Sequence, residues 1–243
     1  MHIDFSGLFH QSSKDPTAGG TQFIPQDDSA WPEEWKTVHY KKYNLDKIKL
    51  TGYKIVADLF ENIKNRRSKR EYSRRPQDKD SLSALLKYSC GIIREDKWSR
   101  TRAQPSGGAR YPIETYVVVL AGSEEVPTGI YHYDIKNHEL DILKQREFLS
   151  EDLSKLFGYE FAKNASSIIV MTAIFARNQI KYGERGYRHI LLEAGHIGQN
   201  LYLISTALGL GCCALSGISD IEFEKLLEID GVTESVVYGL TIG

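Results

Sequence analysis

The sequence predicts an α+β domain with a mixed sheet and one long central helix, and three observations carry that expectation. Two β-branched runs, ETYVVVLA at 114–121 and SIIVMTAIF at 167–175, are continuous enough to be strands buried on both faces. One apolar series, Tyr187, Ile190, Leu191, Ala194, Ile197, Gly198, Leu201, Ile204, Ser205 and Leu208, keeps helical spacing. It runs for about 25 residues, or ~37 Å at the 1.5 Å rise of a helix. Strand-like and helix-like segments intermingle along the chain, with no internal repeat and no low-complexity tract.

The elements follow in order. Residues 1–50 read as an arm and 51–243 as the domain. The arm begins with the breakers PTAGG and PQDD and then carries Trp31, Trp35, Tyr40 and Tyr43 among charges. Burying an aromatic of that size is worth roughly 1.5–3 kcal/mol, so the arm is expected to lie on its own subunit or a neighbour. Ile55, Val56, Leu59, Phe60 and Ile63 predict a helix from Lys54 to Ile63. Leu82, Leu85, Leu86 and Ser89 predict another after a cap at Asp80-Ser81. A Gly-rich turn at Pro105–Gly108 leads into the first buried strand. GIYHYD and HELDIL then alternate as a hairpin about Lys136-Asn137. A short helix near Glu147–Phe157 precedes the second buried strand. Beyond the long helix, CCALSGI reads as a strand, Asp220 as the cap of a helix to Glu228, and SVVYGLTI as the last strand. The small residues Ala194, Gly195 and Gly198 allow close approach of a second helix, as a dimer seam or a core requires.

Composition narrows the function classes. Among 243 residues, 31 Lys and Arg nearly balance 32 Asp and Glu, giving a net charge of −1, while 41% are hydrophobic. Such a chain builds a core and offers no general attraction to nucleic acid or an anionic membrane. Cys90, Cys212 and Cys213 are odd in number and form no C-x-x-C, so neither a disulfide framework nor a structural zinc or other metal site is expected. The start, MHIDFSGLFH, has no signal-peptide pattern, and the longest apolar run, Ile168–Ala176, is far short of the ~20 residues of a membrane span. The expectation is a cytoplasmic protein.

Three segments could carry chemistry. Lys64–Arg75 holds seven basic residues against the single acid Glu71. Within it Arg66, Ser68 and Arg70 alternate, so an extended backbone points two guanidinium forks and a hydroxyl to one side, which suits a phosphate monoester. Neither a P-loop nor G-x-G-x-x-G is present. Next, Gln104–Pro112 (QPSGGARYP) places paired glycines at a strand entrance, where backbone amides can approach a flat ring and Ser106 can bond its edge. Third, KYGERGYR at 181–188 sets Lys181 within a few residues of Arg177, Arg185 and Arg188. Neighbouring cations favour the neutral amine, the form that acts as a base, and Tyr182 adds a phenol. Basic groups at a helix start oppose its dipole, which makes this segment unusual.

Together these motifs resemble the nitroreductase superfamily of FMN enzymes. PSGGARYPIE, GIYHYD and KYGERGYRHILLEAGHIGQNL, in that order, resemble its SagB-type branch, the azoline dehydrogenases of thiazole/oxazole-modified peptides. The likeness covers about residues 31–243. It implies a mainly antiparallel sheet flanked by helices, in a homodimer holding FMN at the subunit interface. By the same resemblance Arg66, Ser68 and Arg70 bind the FMN phosphate and ribityl chain. Pro105, Ser106 and Gly107 line the isoalloxazine, Leu215, Ser216 and Gly217 offer backbone contacts near its reactive nitrogen, and Lys181 and Tyr182 match the catalytic pair.

Two departures stand out. A typical nitroreductase continues after the Pro-Ser with Asn and Gln, absent here. Relatives also often set a basic residue just after the last strand to close the phosphate site, whereas this sequence ends at Gly243. The implied reaction oxidises a peptide thiazoline or oxazoline to the azole, with dioxygen reoxidising the flavin. The competing functions are an NAD(P)H-dependent nitro- or quinone reductase and a non-catalytic, flavin-stabilised scaffold subunit of a peptide-modifying complex. The first 50 residues are too few for a peptide-recognition domain, so leader binding is expected of a partner such as a cyclodehydratase.

Overall fold

The computed structural model describes residues 5–14, 27–52, 54–95 and 100–243. The breaker PTAGG and the residues up to Gln26 lie outside them. In chain order the elements are α1 (Phe5–Ser12), α2 (Glu33–Lys36), β1 (Lys47–Lys49), α3 (Leu59–Asn65), α4 (Lys79–Cys90), β2 (Ile92–Glu95), β3 (Arg100–Arg102), β4 (Ile113–Val119), β5 (Gly129–Asp134), β6 (Glu139–Gln145), α5 (Ser150–Leu156), β7 (Ser167–Ile174), α6 (Ala176–Tyr182), α7 (Arg185–Ala207), β8 (Cys212–Leu215), α8 (Asp220–Leu227) and β9 (Glu234–Ile242).

Seven strands form one sheet in the order β1-β6-β5-β4-β7-β9-β8, and each pairing in it is antiparallel. β4 and β7 lie at its centre and their side chains are almost all buried, as the continuous β-branched runs require. Alternation along β4 sorts the core into two layers. Val117 and Val119 join Leu82, Leu85 and Leu86 of α4 and Ile190, Ile197 and Leu201 of α7. Tyr116 and Val118 face the other way, onto Leu153 and Leu156 of α5 and Phe223 and Leu227 of α8. The long helix is where its periodicity places it, and Gly198 lets it approach β9, because a Cβ there would stand 2.7 Å from the Tyr238 ring. Gly195 faces open space.

Several boundaries differ from expectation. The helix expected from Lys54 begins only at Leu59, because Asp58 in an extended conformation caps it by accepting the Glu61 N–H at 2.9 Å. α4 is capped by Asp78, which accepts the Ser81 N–H, and not by Asp80-Ser81. α8 is capped by Ser219 and not by Asp220. The run CCALSGI is a strand only to Leu215, after which Ile218 forms an isolated bridge with Phe157. The β2–β3 hairpin, whose register shifts between Ile92 and Arg94, carries no clear alternation and was not expected.

Residues 27–50 lie against the rest of the chain. Lys41 bonds the Tyr116 hydroxyl at 2.6 Å and Glu234 at 2.5 Å, and β1 adds a strand beside β6. Beneath this segment is a chain of charges, buried except for Lys47 at its end. His132 of β5 bonds Asp141 and Glu114, each at 2.9 Å, while Arg177 bonds Glu114 at 2.5 Å and Lys47 closes on Asp141.

Candidate active site

α6 is a short helix set directly behind β7, and it ends at Gly183 in the left-handed region. Its first turn directs Arg177 down to Glu114. One turn later Lys181 is buried, only 2% exposed, yet its Nζ has no hydrogen-bond partner among the described residues. The amine sits 3.3 Å from the centre of the Trp31 ring, with Trp35 at 5.9 Å and Tyr182 at 5.6 Å. Burial, together with the charge of Arg110, pushes its pKa below the ordinary lysine value, and Asp28 pulls weakly the other way. The direction agrees with the sequence reading, but the cause differs. Arg177 is neutralised by Glu114, and Arg185 and Arg188 turn away to the carbonyls of Ser13, Lys14 and His10 at the end of α1. Those two arginines serve the C-terminal end of α1, where cations are favourable, which explains their place at the start of α7.

Arg110, the cation that does act, was missed because sequence distance hides it. It is buried, its Nε donating to the Arg177 carbonyl and its Nη1 to the Trp35 carbonyl, both at 2.8 Å. Tyr182 packs edge-on against His189 at 4.7 Å, and burial raises its phenol pKa.

The Gly-rich turn meets this pair. Gly108 has φ +62°, and a Cβ on it would lie 2.4 Å from the Tyr182 hydroxyl and 3.2 Å from Lys181 Nζ. A Cβ on Gly107 would lie 3.2 Å from His189 Nδ1. Ala109 and Tyr111 also have positive φ, so left-handed backbone clusters in this turn, at a cost of roughly 1–3 kcal/mol each. Ser106 holds it by accepting the Tyr111 N–H at 2.9 Å. Pro105, Ser106 and Gly107 line a cavity of about 320 Å³ with His189, Leu192, Glu193 and His196 of α7. Among the described residues, buried side-chain atoms without a partner belong to Arg102, Gln104, Asn178, Lys181, His189, Glu193 and Ser205. All but Ser205 lie on β3, this turn, α6 or the first half of α7.

The basic segment forms a second cluster. Ser68 shares a 2.9 Å hydrogen bond with Tyr202 of α7, and Arg66 lies over the Tyr202 ring at 5.3 Å. Tyr202 also accepts the Ala214 N–H at 2.8 Å, one residue before Leu215. This tyrosine fastens R-x-S-x-R to β8; it stands outside the apolar stripe of the helix, and nothing in its sequence position announces the role. Arg70 lies over Phe161 at 6.0 Å, Phe161 packs on Tyr159, and the Tyr159 hydroxyl is 3.3 Å from Ser216 Oγ and presses on Gly217. Neither Arg66 nor Arg70 pairs with a carboxylate among the described residues, whereas Arg74 is committed to the Leu120 carbonyl. The structure therefore links Arg66 and Ser68 through Tyr202 to the strand that ends at Leu215, links Arg70 through Phe161 and Tyr159 to Ser216 and Gly217, and separately brings Pro105, Ser106, Gly107, Lys181 and Tyr182 to one place. His189 and Tyr202, which mark the two clusters on α7, are about 20 Å apart along the helix axis.

Residues 63–243 match the model of the nitroreductase family. The chain belongs to that family. It is 34% identical over 166 residues to a nitroreductase-type protein of Methanocaldococcus jannaschii, covering 68% of this chain and 81% of that one. It is 31% identical to the trifolitoxin-processing protein TfxB of Rhizobium leguminosarum, over 67% of this chain and 46% of TfxB. The microcin B17-processing protein McbC of Escherichia coli is also 31% identical, over 56% of this chain and 51% of McbC. The chain thus spans about half the length of these two peptide-processing relatives. Among solved structures, a nitroreductase-type protein from Anabaena variabilis superposes with a TM-score of 0.75 at 25% identity, over 99% of this chain and 46% of that one. The E. coli microcin synthetase McbBCD complex shares the fold, with a TM-score of 0.61 at 22% identity, over 98% of this chain and 91% of that one. The nitroreductase fold, with its antiparallel sheet and long helix, is the one the motifs implied. Among the described residues, no helix is long and apolar enough to cross a membrane and no cluster of His, Cys, Asp and Glu could hold a metal ion.

Proposed function

We propose that this nitroreductase-family protein is an FMN-dependent dehydrogenase of the SagB type, which oxidises thiazoline or oxazoline rings of a ribosomal peptide to azoles. The observation that carries the proposal is Lys181: a buried amine without a partner, held towards its neutral form and set beside a phenol at a turn where no side chain fits. A nitro- or quinone reductase that takes hydride from a nicotinamide needs no such base. The naming of TfxB and McbC as peptide-processing proteins points the same way.

The residues fit FMN. Arg66, Ser68 and Arg70 present unpaired guanidinium forks and a hydroxyl suited to a phosphate, worth roughly 1.5–3 kcal/mol per charged contact. Gly107 leaves bare backbone beside the orphaned His189 Nδ1, in a cavity wall that Pro105 and Ser106 continue and against which a flat ring can lie. Leu215, Ser216 and Gly217 are kept near the phosphate residues by Tyr202 and Tyr159. Bound FMN supplies the hydride acceptor and no proton chemistry that the protein must duplicate.

Lys181 Nζ takes the proton from the ring carbon that was the residue's α-carbon, while hydride departs from the adjacent carbon. Tyr182 holds the pair in register and offers its own proton and acceptor. Trp31 and Trp35 exclude water from the amine. Dioxygen is the proposed final acceptor. The two clusters at either end of α7 are proposed to meet across a homodimer. Exposed apolar residues on α3 (Leu59, Phe60, Ile63) and α7 (Leu191, Leu192) give that contact its surface. A cyclodehydratase is the proposed partner that delivers the peptide, and the cytoplasm the proposed location.

Incubating the FMN-loaded protein with an azoline peptide tests the reading by mass spectrometry. Each ring should lose two hydrogens. An unchanged peptide mass, with NADPH consumed when a nitroarene is supplied, would install the reductase reading instead.

A further inference from the structure

Glu193 plays no part in the proposed reaction as described, yet it sits at the wall of the ring cavity. It is 1% exposed, as is Gln104, and the Gln104 Nε2 donates to Glu193 Oε1 at 3.1 Å. Two oxygens are then left over. Gln104 Oε1 and Glu193 Oε2 are buried, have no hydrogen-bond partner among the described residues, and are both acceptors when the carboxyl is ionised. A proton on Oε2 supplies a donor shared between these two oxygens, the Ser106 hydroxyl being the other donor close enough to act on the carboxyl.

We propose that Glu193 is a neutral carboxylic acid in the working enzyme, sharing its proton with Gln104, and acts as a positioning residue that keeps negative charge out of the cavity lined by Pro105, Ser106 and Gly107. This rests on the FMN reading for the identity of what occupies that cavity. Hydride arrival brings negative charge to a ring lying there. An ionised carboxylate in the wall opposes that charge, whereas the acid does not. No net proton passes through Glu193: the α-carbon proton goes to Lys181, the hydride to the flavin, and Glu193 ends as it began.

The surroundings favour the acid. Burial raises the Glu193 pKa to about 7, against the opposing pull of Ser106, Gln104 and the charge of Arg102. Arg102 comes from β3 and, among the described residues, reaches no acceptor with its Nε and Nη1. Its guanidinium lies over the Tyr111 and Tyr40 rings at 4.6 and 5.5 Å. Cys90, at the end of α4, shares the field of Arg102, and burial keeps it a thiol. On α7 itself His189 and His196 line the same cavity one turn before and one after, and burial holds His189 towards its neutral form.

Infrared spectroscopy of the FMN-loaded protein decides the matter. The parent should show the carbonyl stretch of a buried protonated carboxyl, lost as the pH is raised past about 7. Glu193→Gln, which copies the acid's donor and acceptor without its proton, should lack that band. The flavin midpoint potential of the parent should fall more steeply with pH above the same point, and that of Glu193→Gln should show no such break. If Glu193→Gln fails to fold, Gln104→Met should shift the band by removing its partner. Absence of the band in the parent means an ionised Glu193 bridged to Arg102 and overturns the proposal, as does a band that survives in Glu193→Gln. A band and potential that behave as expected in a protein that ignores azolines leave this inference standing and remove the azoline reaction.

Discussion

Arg177 and Lys181 stand four residues apart on α6, both basic side chains, both buried, and their surroundings are opposite. Arg177 ends in a chain of matched charges, Arg177–Glu114–His132–Asp141–Lys47, in which each named group has a partner. Lys181 ends under an indole ring with no hydrogen-bond partner among the described residues. Leaving a buried polar group unpaired costs roughly 1–3 kcal/mol, a penalty that the fold avoids one turn away. In this molecule paired charges mark structure, and unpaired ones gather where chemistry is proposed.

The largest effects should separate these two roles. Lys181→Ala and Tyr182→Phe are expected to slow azoline oxidation by about 10²- to 10⁴-fold while the proteins stay folded and retain FMN. Loss of flavin in both would make the loop structural. Glu114→Ala should do the reverse: it strands Arg177 and His132 and is expected to cost about 3–5 kcal/mol in urea unfolding.

That paired chain also has a pH signature. His132 and the nearby Arg177 hold the Glu114 pKa at about 2, below the ordinary 4.5, against the cost of burial. A lowered carboxyl pKa contributes stability that is present above about 4.5 and lost as pH falls through about 2. The contribution is on the order of 3 kcal/mol, and a Glu114→Gln protein should lack this part of its acid sensitivity. Bonds to Asp141 and Glu114 outweigh burial and raise the His132 pKa. Its contribution has the opposite sense: present below the ordinary 6.5, lost as pH rises through the raised value.

Smaller effects belong to the exposed cluster. Arg66→Ala or Arg70→Ala should weaken FMN retention about 10- to 150-fold by equilibrium dialysis, and Arg74→Ala far less. Equal losses in all three would mean diffuse attraction in place of a phosphate site. The smallest concerns stability alone. Lys181→Met should leave the unfolding free energy unchanged or raised, since it removes an unpaired buried amine; a drop like that of Glu114→Ala would erase the contrast on α6.

Much of this was legible in sequence because it is local. The strands β4 and β7, the β5–β6 hairpin and α7 follow from periodicity, and the R-x-S-x-R, P-S-G-G and Lys-Tyr segments from residue chemistry. Helix starts were less so, since Asp78 and Ser219 compete with equally suitable neighbours and only the backbone conformation decides. Long-range assignments were hidden. Arg110 acts on Lys181 across 71 positions, Tyr202 ties Ser68 to β8, and Glu193 reads as one polar residue in a helix until Gln104 is placed against it. The buried His132 was hidden in the same way, inside an alternating strand whose partners come from β4 and β6.

The most direct test of the central claim follows the flavin and not the product. FMN-loaded parent and Lys181→Ala proteins, both yellow, are mixed without oxygen with an azoline peptide, and bleaching is followed by stopped flow. The parent should bleach and return to yellow when air is admitted, while Lys181→Ala bleaches at least about 10²-fold more slowly, although dithionite reduces both alike. Equal bleaching of the two by the azoline would contradict Lys181 as the base.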